Sequence, residues 1–512
     1  MFILLKRILI LVPVLLFVLG CFSVESESEE EPAPETAWTI MYYGAGDNDL
    51  ESSMLQDIQE MKNGFANGQG INLIVLFDRP SDNTYETAGF GENFTKARLY
   101  RITQSKTWRL AGGSKFPEIT KTSNYDANMA DPHTLKQFIE FCKFNYPASK
   151  YALIISNHGS GFHKKSLPNS SLLNTTKAMC EDSSHDGDMM YTYEMSSILT
   201  SAQSVDLFAL DACLMSSVEF AYQFRKHSSN TRFTADYMVA SAPNLWGLGF
   251  DYKNVFMRLQ NKTGNNGTAD ITLGGNEKYY NPATMTALDF AAVIIEEQRD
   301  SIEIELAKNY KESDKQLIRS QSLTCLDLSQ VYNVKTAVDT LSKKLTGYKA
   351  TLETIRGKNA AVPLLHYFNA SDLDEWANFP FFDLYNLADA VSNNPSLTSV
   401  QTEANAVKTA VNNFVVYSFQ GGAYSNFTAN NSGVHIFFPD GDRAVTSGGN
   451  TYTLWNGLHW YQYSPLVWTV KSPGILENGT GAFAGGGLDW CKGGTQSSVI
   501  ENWFELLESW YE

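Results

Sequence analysis

Tyr151-Ala-Leu-Ile-Ile-Ser-Asn-His158-Gly-Ser-Gly161 decides the fold, read together with Val205-Asp-Leu-Phe-Ala-Leu-Asp211-Ala-Cys213 further along. Each is a short apolar run of strand length, rich in β-branched or aromatic residues. Each ends abruptly in a polar or reactive residue, followed by small residues or a new helical pattern. Open α/β sheets are punctuated in this way, and their catalytic side chains gather beyond the carboxyl ends of parallel strands. His158 after one strand and Cys213 after another can therefore share one crevice. A thiol becomes a strong nucleophile near neutral pH once an imidazole takes its proton, so the chemistry on offer is a Cys/His dyad. Either residue alone is more often a packed core side chain. The coincidence of two strand ends carries the argument.

Outward from this pair the pattern alternates. Strands are expected at 37–43 and 71–77, and helices at 49–65 and 132–144, the latter with Phe138, Ile139, Phe141 and Cys142 on its apolar side. After Cys213, the spacing of Leu214, Val218, Phe220, Ala221 and Phe224 predicts a helix whose N-terminus abuts the thiol and lowers its pKa. A strand at 237–242 leads into a loop at 243–250 that carries Trp246. The second half predicts helices at 291–309 and 331–348 and strands at 414–419 and 434–438. Leu326-Asp-Leu328, lying between helices, suggests that the sheet continues there.

Several runs, in this order and spacing, resemble the clostripain family of cysteine peptidases, relatives of caspases, gingipains and legumain. They are Trp38-Thr-Ile-Met-Tyr-Tyr-Gly-Ala-Gly-Asp-Asn-Asp-Leu-Glu51, Asn157-His-Gly-Ser-Gly161, Asp211-Ala-Cys213, Ser322-Leu-Thr-Cys-Leu-Asp-Leu328, Phe382-Asp-Leu-Tyr-Asn-Leu-Ala388 and Ser432-Gly-Val-His-Ile-Phe-Phe-Pro439. The resemblance implies an α/β fold, a caspase-like mostly parallel sheet flanked by helices, with a C-terminal accessory region. It implies a cysteine endopeptidase that uses Cys213 and His158, with the amides of Gly159 and Cys213 as oxyanion donors. It also associates the Asp211 carboxylate with recognition of Arg or Lys before the cut bond. The alternative for Asp211 is a helix cap near Leu214. Members of the family are cut between the catalytic His and Cys, where this chain offers Lys164, Lys165 and Lys177 in a polar stretch of the kind in which nicking concentrates.

His163 and His185 are rival bases and Cys180 a rival nucleophile, all in that stretch and with no predicted strand to fix them. Asp182, Asp186, Asp188 and Glu194 offer oxygen ligands there, but their spacing departs from the twelve-residue EF-hand loop. A solvated acidic loop is the plainer reading, so no metal ligand is assigned and no cofactor is required. Calcium responsiveness in the resembled family keeps that ion open. No third member of the dyad is identifiable from spacing.

Residues 1–20 place Lys6 and Arg7 before an apolar run that ends in Val18-Leu-Gly-Cys21, a lipoprotein signal with Cys21 as the lipidated residue. Residues 21–36 hold six Glu, two Pro and no basic residue, which suits a solvated tether. Beyond it the expected organisation is a catalytic α/β region (37–260), a linker or insertion (261–285), a continuation of the peptidase region (286–440) and an aromatic- and Gly-rich accessory lobe (441–512). The net charge of −17 argues against a nucleic-acid partner and against adsorption of the folded body to anionic lipid. Attachment to the cell envelope of a bacterium would be through lipid alone, with a peptide or protein as substrate. Cys142, Cys180, Cys213, Cys325 and Cys491 are odd in number and widely spaced, which fits neither a disulfide framework nor a paired zinc site. Two other readings stand beside the peptidase: a lipid-anchored binding protein without activity, and a cysteine-dependent transpeptidase.

Overall fold

The first strand, Thr36–Ala45, is apolar on both faces because both are covered. Met41, Tyr43 and Ala45 pack into one half of the core, and Trp38, Ile40 and Tyr42 into the other. Such a continuous run marks a central strand of a parallel sheet rather than an edge. The computed structural model describes residues 35–66, 69–81, 89–104, 106–159, 179–226, 231–245, 249–263, 278–357, 363–367, 380–439, 444–447, 450–453, 488–491 and 499–511. The leader, Cys21, His163, Lys164, Lys165, Lys177, Trp246, the middle of 261–285 and most of 441–512 lie outside these.

In chain order the elements are β1 (Thr36–Ala45), α1 (Glu51–Gly64), β2 (Ile71–Asp78), β3 (Arg98–Ile102), β4 (Thr107–Leu110), α2 (Pro132–Asn145), β5 (Ala148–Ser156), β6 (Met179–Asp182), β7 (Asp188–Met190), α3 (Thr192–Ile198), β8 (Val205–Asp211), α4 (Val218–Gln223), β9 (Ala235–Ala240), α5 (Tyr252–Arg258), α6 (Ala287–Ala307), α7 (Glu312–Arg319), β10 (Ser322–Asp327), α8 (Val331–Lys344), α9 (Lys349–Arg356), β11 (Phe381–Asp383), β12 (Val415–Gln420) and β13 (His435–Phe437). Two further helices, Leu384–Asn393 and Gln401–Phe414, lie between β11 and β12.

Nine strands form one sheet in the order β12-β10-β9-β8-β5-β1-β2-β3-β4. Its centre, β9-β8-β5-β1-β2, is parallel, and both flanks are antiparallel. Helices cover both faces, α1, α5 and α6 on one and α2, α4 and α8 on the other. The α/β architecture matches the sequence expectation, and the sheet continues through β10 and β12 on the far side of residues 261–285. Helix α2 starts where its sequence says it should: Asp131 caps it by accepting from the His133 amide, and Pro132 occupies the first turn.

Two details place the site. Strand order reverses at β1, whose neighbours are β2 on one side and β5 on the other, so the crevice of an open sheet falls at the ends of β1 and β5. Ser156 of β5 pairs with Asp211 of β8. The residues two beyond each, His158 and Cys213, therefore leave the sheet at the same height.

Candidate active site

The helix expected to begin at the thiol does not. Leu214 adopts a left-handed backbone, φ 59°, which turns the chain away, and its amide donates to the Pro243 carbonyl. Helix α4 starts only at Val218, with the Ser217 hydroxyl capping it by accepting from the Phe220 amide at 3.3 Å. Leu214 and Met215 fit a helical period because they are buried, not because they are helical. Among the described residues no helix begins at Cys213, and its thiol is not lowered: burial pushes it up to about 11, the Leu245 amide opposes this, and the charge of Asp211 adds to it. That amide donates to Sγ at 3.3 Å, which places the 243–245 segment against the thiol.

His158 Nε2 lies 2.6 Å from Asp49 Oδ1. A carboxylate can only accept, so Nε2 donates in this contact. Asp49 is the partner that sequence spacing did not reveal. It comes from the turn after β1, which is pinned by Asn48: its Nδ2 donates to the carbonyls of Ala45 and Glu181, each at 2.9 Å. Asn157 holds the other side, donating its backbone N–H to the Asp211 carbonyl at 3.3 Å and accepting from the Glu181 amide at 2.9 Å. Gly159 brings the two strand ends together. A Cβ there would stand 2.2 Å from the Cys213 carbonyl oxygen and 3.0 Å from its nitrogen, so only glycine allows this approach. Among the described residues no hydrogen bond joins the His158 ring to Sγ; what brings them near is the close approach of Gly159 to the Cys213 backbone.

Asp49→Asn is expected to lower kcat about tenfold with KM nearly unchanged. One charge-assisted hydrogen bond at a solvent-exposed carboxylate is weakened, a loss of about 1.4 kcal/mol in the transition state. Steady-state kinetics on a single peptide would check this, and an unchanged kcat would make the contact incidental.

Asp211, the last residue of β8, points to the face of the sheet covered by α1 and α5. Its Oδ2 accepts from the Tyr252 hydroxyl at 2.8 Å and from the Phe250 amide at 3.3 Å. Among the described residues nothing bonds Oδ1. Gly249, φ 62°, leaves the carboxylate open, because a Cβ there would come within 2.7 Å of Oδ2 and 3.3 Å of Oδ1. Burial raises the Asp211 carboxyl to about 6, against the hydrogen bonds from Tyr252 and Phe250. With Ser217 as the cap of α4, Asp211 is no helix cap.

A thiol, an imidazole oriented by a carboxylate, and a buried acid thus stand at neighbouring strand ends. A sequence profile of the clostripain family matches residues 42–479. Clostripain from Hathewaya histolytica is 40% identical over 484 residues, covering 93% of this chain and 87% of that protein. The chain belongs to the clostripain family. Among solved structures, an inactive zymogen C11 protease from Parabacteroides distasonis aligns with TM-score 0.48 and 18% identity, over 80% of this chain and 93% of its own. A secreted C11 cysteine protease from Bacteroides thetaiotaomicron, in complex with an irreversible peptide inhibitor, aligns with TM-score 0.48 and 18% identity, over 79% and 92%.

As a clostripain-family member the chain is a cysteine endopeptidase, a hydrolase of peptide or protein substrates. Its family-like Ser432–Pro439 run supports the turn after Cys213. His435 Nε2 lies 3.1 Å from the Leu214 carbonyl, and Phe437 N–H donates to Glu219 at 2.8 Å. Burial lowers His435 to about 3, so it stays neutral and can only brace the turn by donating. The sequence predicts a strand at 434–438, and nothing local says that it lies against residues 214–217.

The rivals fall in other places. Cys180 does sit on a strand, β6, contrary to the expectation of an unfixed loop, but it is fully buried and burial drives its thiol far up. His185 Nδ1 is bonded to Asp182 Oδ1 at 2.9 Å. Of the four acidic residues considered as ion ligands, Asp186 lies in the turn between β6 and β7, Asp188 accepts from Asn128 and Glu194 lies in the first turn of α3. Only Asp182 meets other carboxylates, those of Asp47 and Asp78.

Proposed function

We propose that Cys213 and His158 are the catalytic pair and that the enzyme cuts after Arg or Lys. The observation that carries the pair is the register of β5 on β8, with the backbone of Gly159 against Cys213. A thiol raised to about 11 is neutral at rest. His158 therefore takes its proton as Sγ attacks the scissile carbonyl, and passes it to the leaving amine. Water then hydrolyses the thioester, with His158 as base. The amides of Gly159 and Cys213 are the oxyanion donors, a reading supported by the close packing of the Gly159 α-carbon on the Cys213 backbone. The unbonded Oδ1 of Asp211 is the group that meets the substrate cation, and Arg suits it better than Lys because a planar fork pairs with a carboxylate. A peptidyl ketone ending in Arg tests the assignment: the adduct should map to Cys213 by mass spectrometry, and an adduct on Cys180 would overturn it.

The same reading includes maturation and address. Self-cleavage is expected after Lys164, Lys165 or Lys177, between the two catalytic residues. Mass spectrometry of active enzyme and of Cys213→Ala should show two chains in the first and one in the second; an intact chain in fully active enzyme would remove processing from the mechanism. Cys21 is the lipidated residue of an exported lipoprotein held at the cell envelope. Cys21→Ser should move the protein from the membrane fraction to the soluble one in a bacterial host, and unchanged partitioning would sink the anchor.

A further inference from the structure

We infer that Asp57 is a second carboxyl of the pocket for the substrate cation, and that its Oδ1 accepts guanidinium N–H groups left over by Asp211, so that Asp57 sets Arg above Lys. This rests on the reading that Asp211 meets the cation. Three strands bring the two acids to one place. Gly44 of β1, Ser156 of β5 and Asp211 of β8 form one row across the sheet. Side chains two residues apart on a strand share a face, so Tyr42 points to the side of Asp211, the one covered by α1 and α5. Gly44 leaves it room: a Cβ there would stand 2.7 Å from Tyr42 Cε1. The Tyr42 ring therefore runs along β1 toward the row that ends in Asp211, and it packs edge-to-face on Tyr252 with centroids 5.8 Å apart.

These two rings join the acids. The Tyr252 hydroxyl donates to Asp211 Oδ2 at 2.8 Å, and the Tyr42 hydroxyl donates to Asp57 Oδ2 at 3.4 Å. Asp57 comes from the second turn of α1 and is only 3% exposed. The charges of Asp57 and Asp211 both bear on the Tyr42 hydroxyl, and that of Asp211 bears on Asp57 itself. The deciding observation is Asp57 Oδ1, which is shut away from water and has no hydrogen-bond partner. The other acids of this corner are occupied. Asp251 caps α5 and accepts from Asn254 Nδ2 at 2.8 Å, while Glu60 accepts from Gln56 Nε2 at 3.1 Å. A buried acceptor without a donor is unfavourable, and a site built to hydrogen-bond its substrate keeps such a group for the donor the substrate brings.

Arginine brings those donors. A guanidinium has N–H groups on three nitrogens and accepts nothing, so every N–H buried in the pocket needs an oxygen. Asp211 Oδ2 already accepts from Tyr252 and from the Phe250 amide, which leaves chiefly Oδ1 for the substrate. A Lys ammonium is a compact point charge that one such oxygen can meet, whereas the spread guanidinium has N–H groups to spare. Burial, and after it the charge of Asp211, pushes the Asp57 carboxyl well up. A protonated carboxyl still keeps an accepting oxygen, so Asp57 serves in either state.

The test uses full-length enzyme and two peptides that differ only in Arg or Lys before the cut bond. Asp57→Leu removes the oxygen and fills its space. It should lower kcat/KM for the Arg peptide at least tenfold more than for the Lys peptide, with the loss in KM, because the bond is made alike in ground and transition states. Asp57→Asn keeps an oxygen there and should retain more of the Arg preference than Asp57→Leu. Should the leucine variant not fold, Asp57→Ala also withdraws the oxygen and carries the same reading. Asp211→Asn, run beside them, should lose rate on both peptides. If it does, while Asp57→Leu keeps the wild-type ratio of Arg to Lys or loses both peptides equally, Asp57 only packs α1 and this inference falls alone. A wild-type enzyme without preference for either cation, or Asp211→Asn that keeps the preference, overturns the reading of Asp211 and this inference with it.

Discussion

Cys213→Ala is expected to abolish peptide hydrolysis, with a loss on the order of 10³-fold or more, because nucleophile and base act as a unit and the residual rate owes nothing to either alone. The fold should not notice. The side chain is only half-buried, its hydrogen-bond contacts are with the Leu245 backbone, and alanine removes a single sulfur. Cys180→Ala is the matching control: that thiol is sealed in the core, so turnover should persist even if some stability is lost to the cavity. Rates on a peptide library, set beside thermal melts of both variants, decide the matter. Wild-type turnover by purified Cys213→Ala would end the dyad assignment.

Much of this site was legible before any coordinates, and the reason is burial on two faces. Strands β5 and β8 are covered on both sides, so they stand out as unbroken apolar runs, and a reactive residue just past such a run has few other places to be. The antiparallel strands β3 and β4 at this flank of the sheet, the second of them its edge, were not legible. Arg98, Arg101, Trp108 and Arg109 give them a mixed pattern, because an antiparallel edge meets solvent. The helix misread after Cys213 shows the limit of periodicity, since Leu214 and Met215 have the apolar character of a helix face while filling a turn braced by His435. Asp49 was invisible as a partner for a different reason. It is an ordinary acid in the turn after β1, and its meaning comes from His158, brought to it by topology.

Asp211→Asn should cost about 2–5 kcal/mol in kcat/KM for Arg substrates, since a substrate cation would be buried without its counter-charge. The substitution separates charge from anchoring. An amide oxygen can still accept from the Tyr252 hydroxyl and the Phe250 amide, the two bonds that fix the 249–252 segment, so the variant should melt close to wild type. Tyr252→Phe is the reverse experiment: it removes one anchor and keeps the carboxylate, so the preference for a cation should survive even if the rate falls. The pH profile adds an independent check. Burial holds the Asp211 carboxyl at about 6 in the free enzyme. Below that pH the group is neutral and the pocket has no charge to offer; above it the carboxylate is ionised. The kcat/KM for Arg substrates should therefore fall as pH drops through about 6, and this limb should be missing in Asp211→Asn. A wild-type enzyme that prefers uncharged or acidic residues before the cut, or an Asn variant that keeps its Arg preference, would leave Asp211 as an anchor of the 249–252 segment and place the selectivity elsewhere.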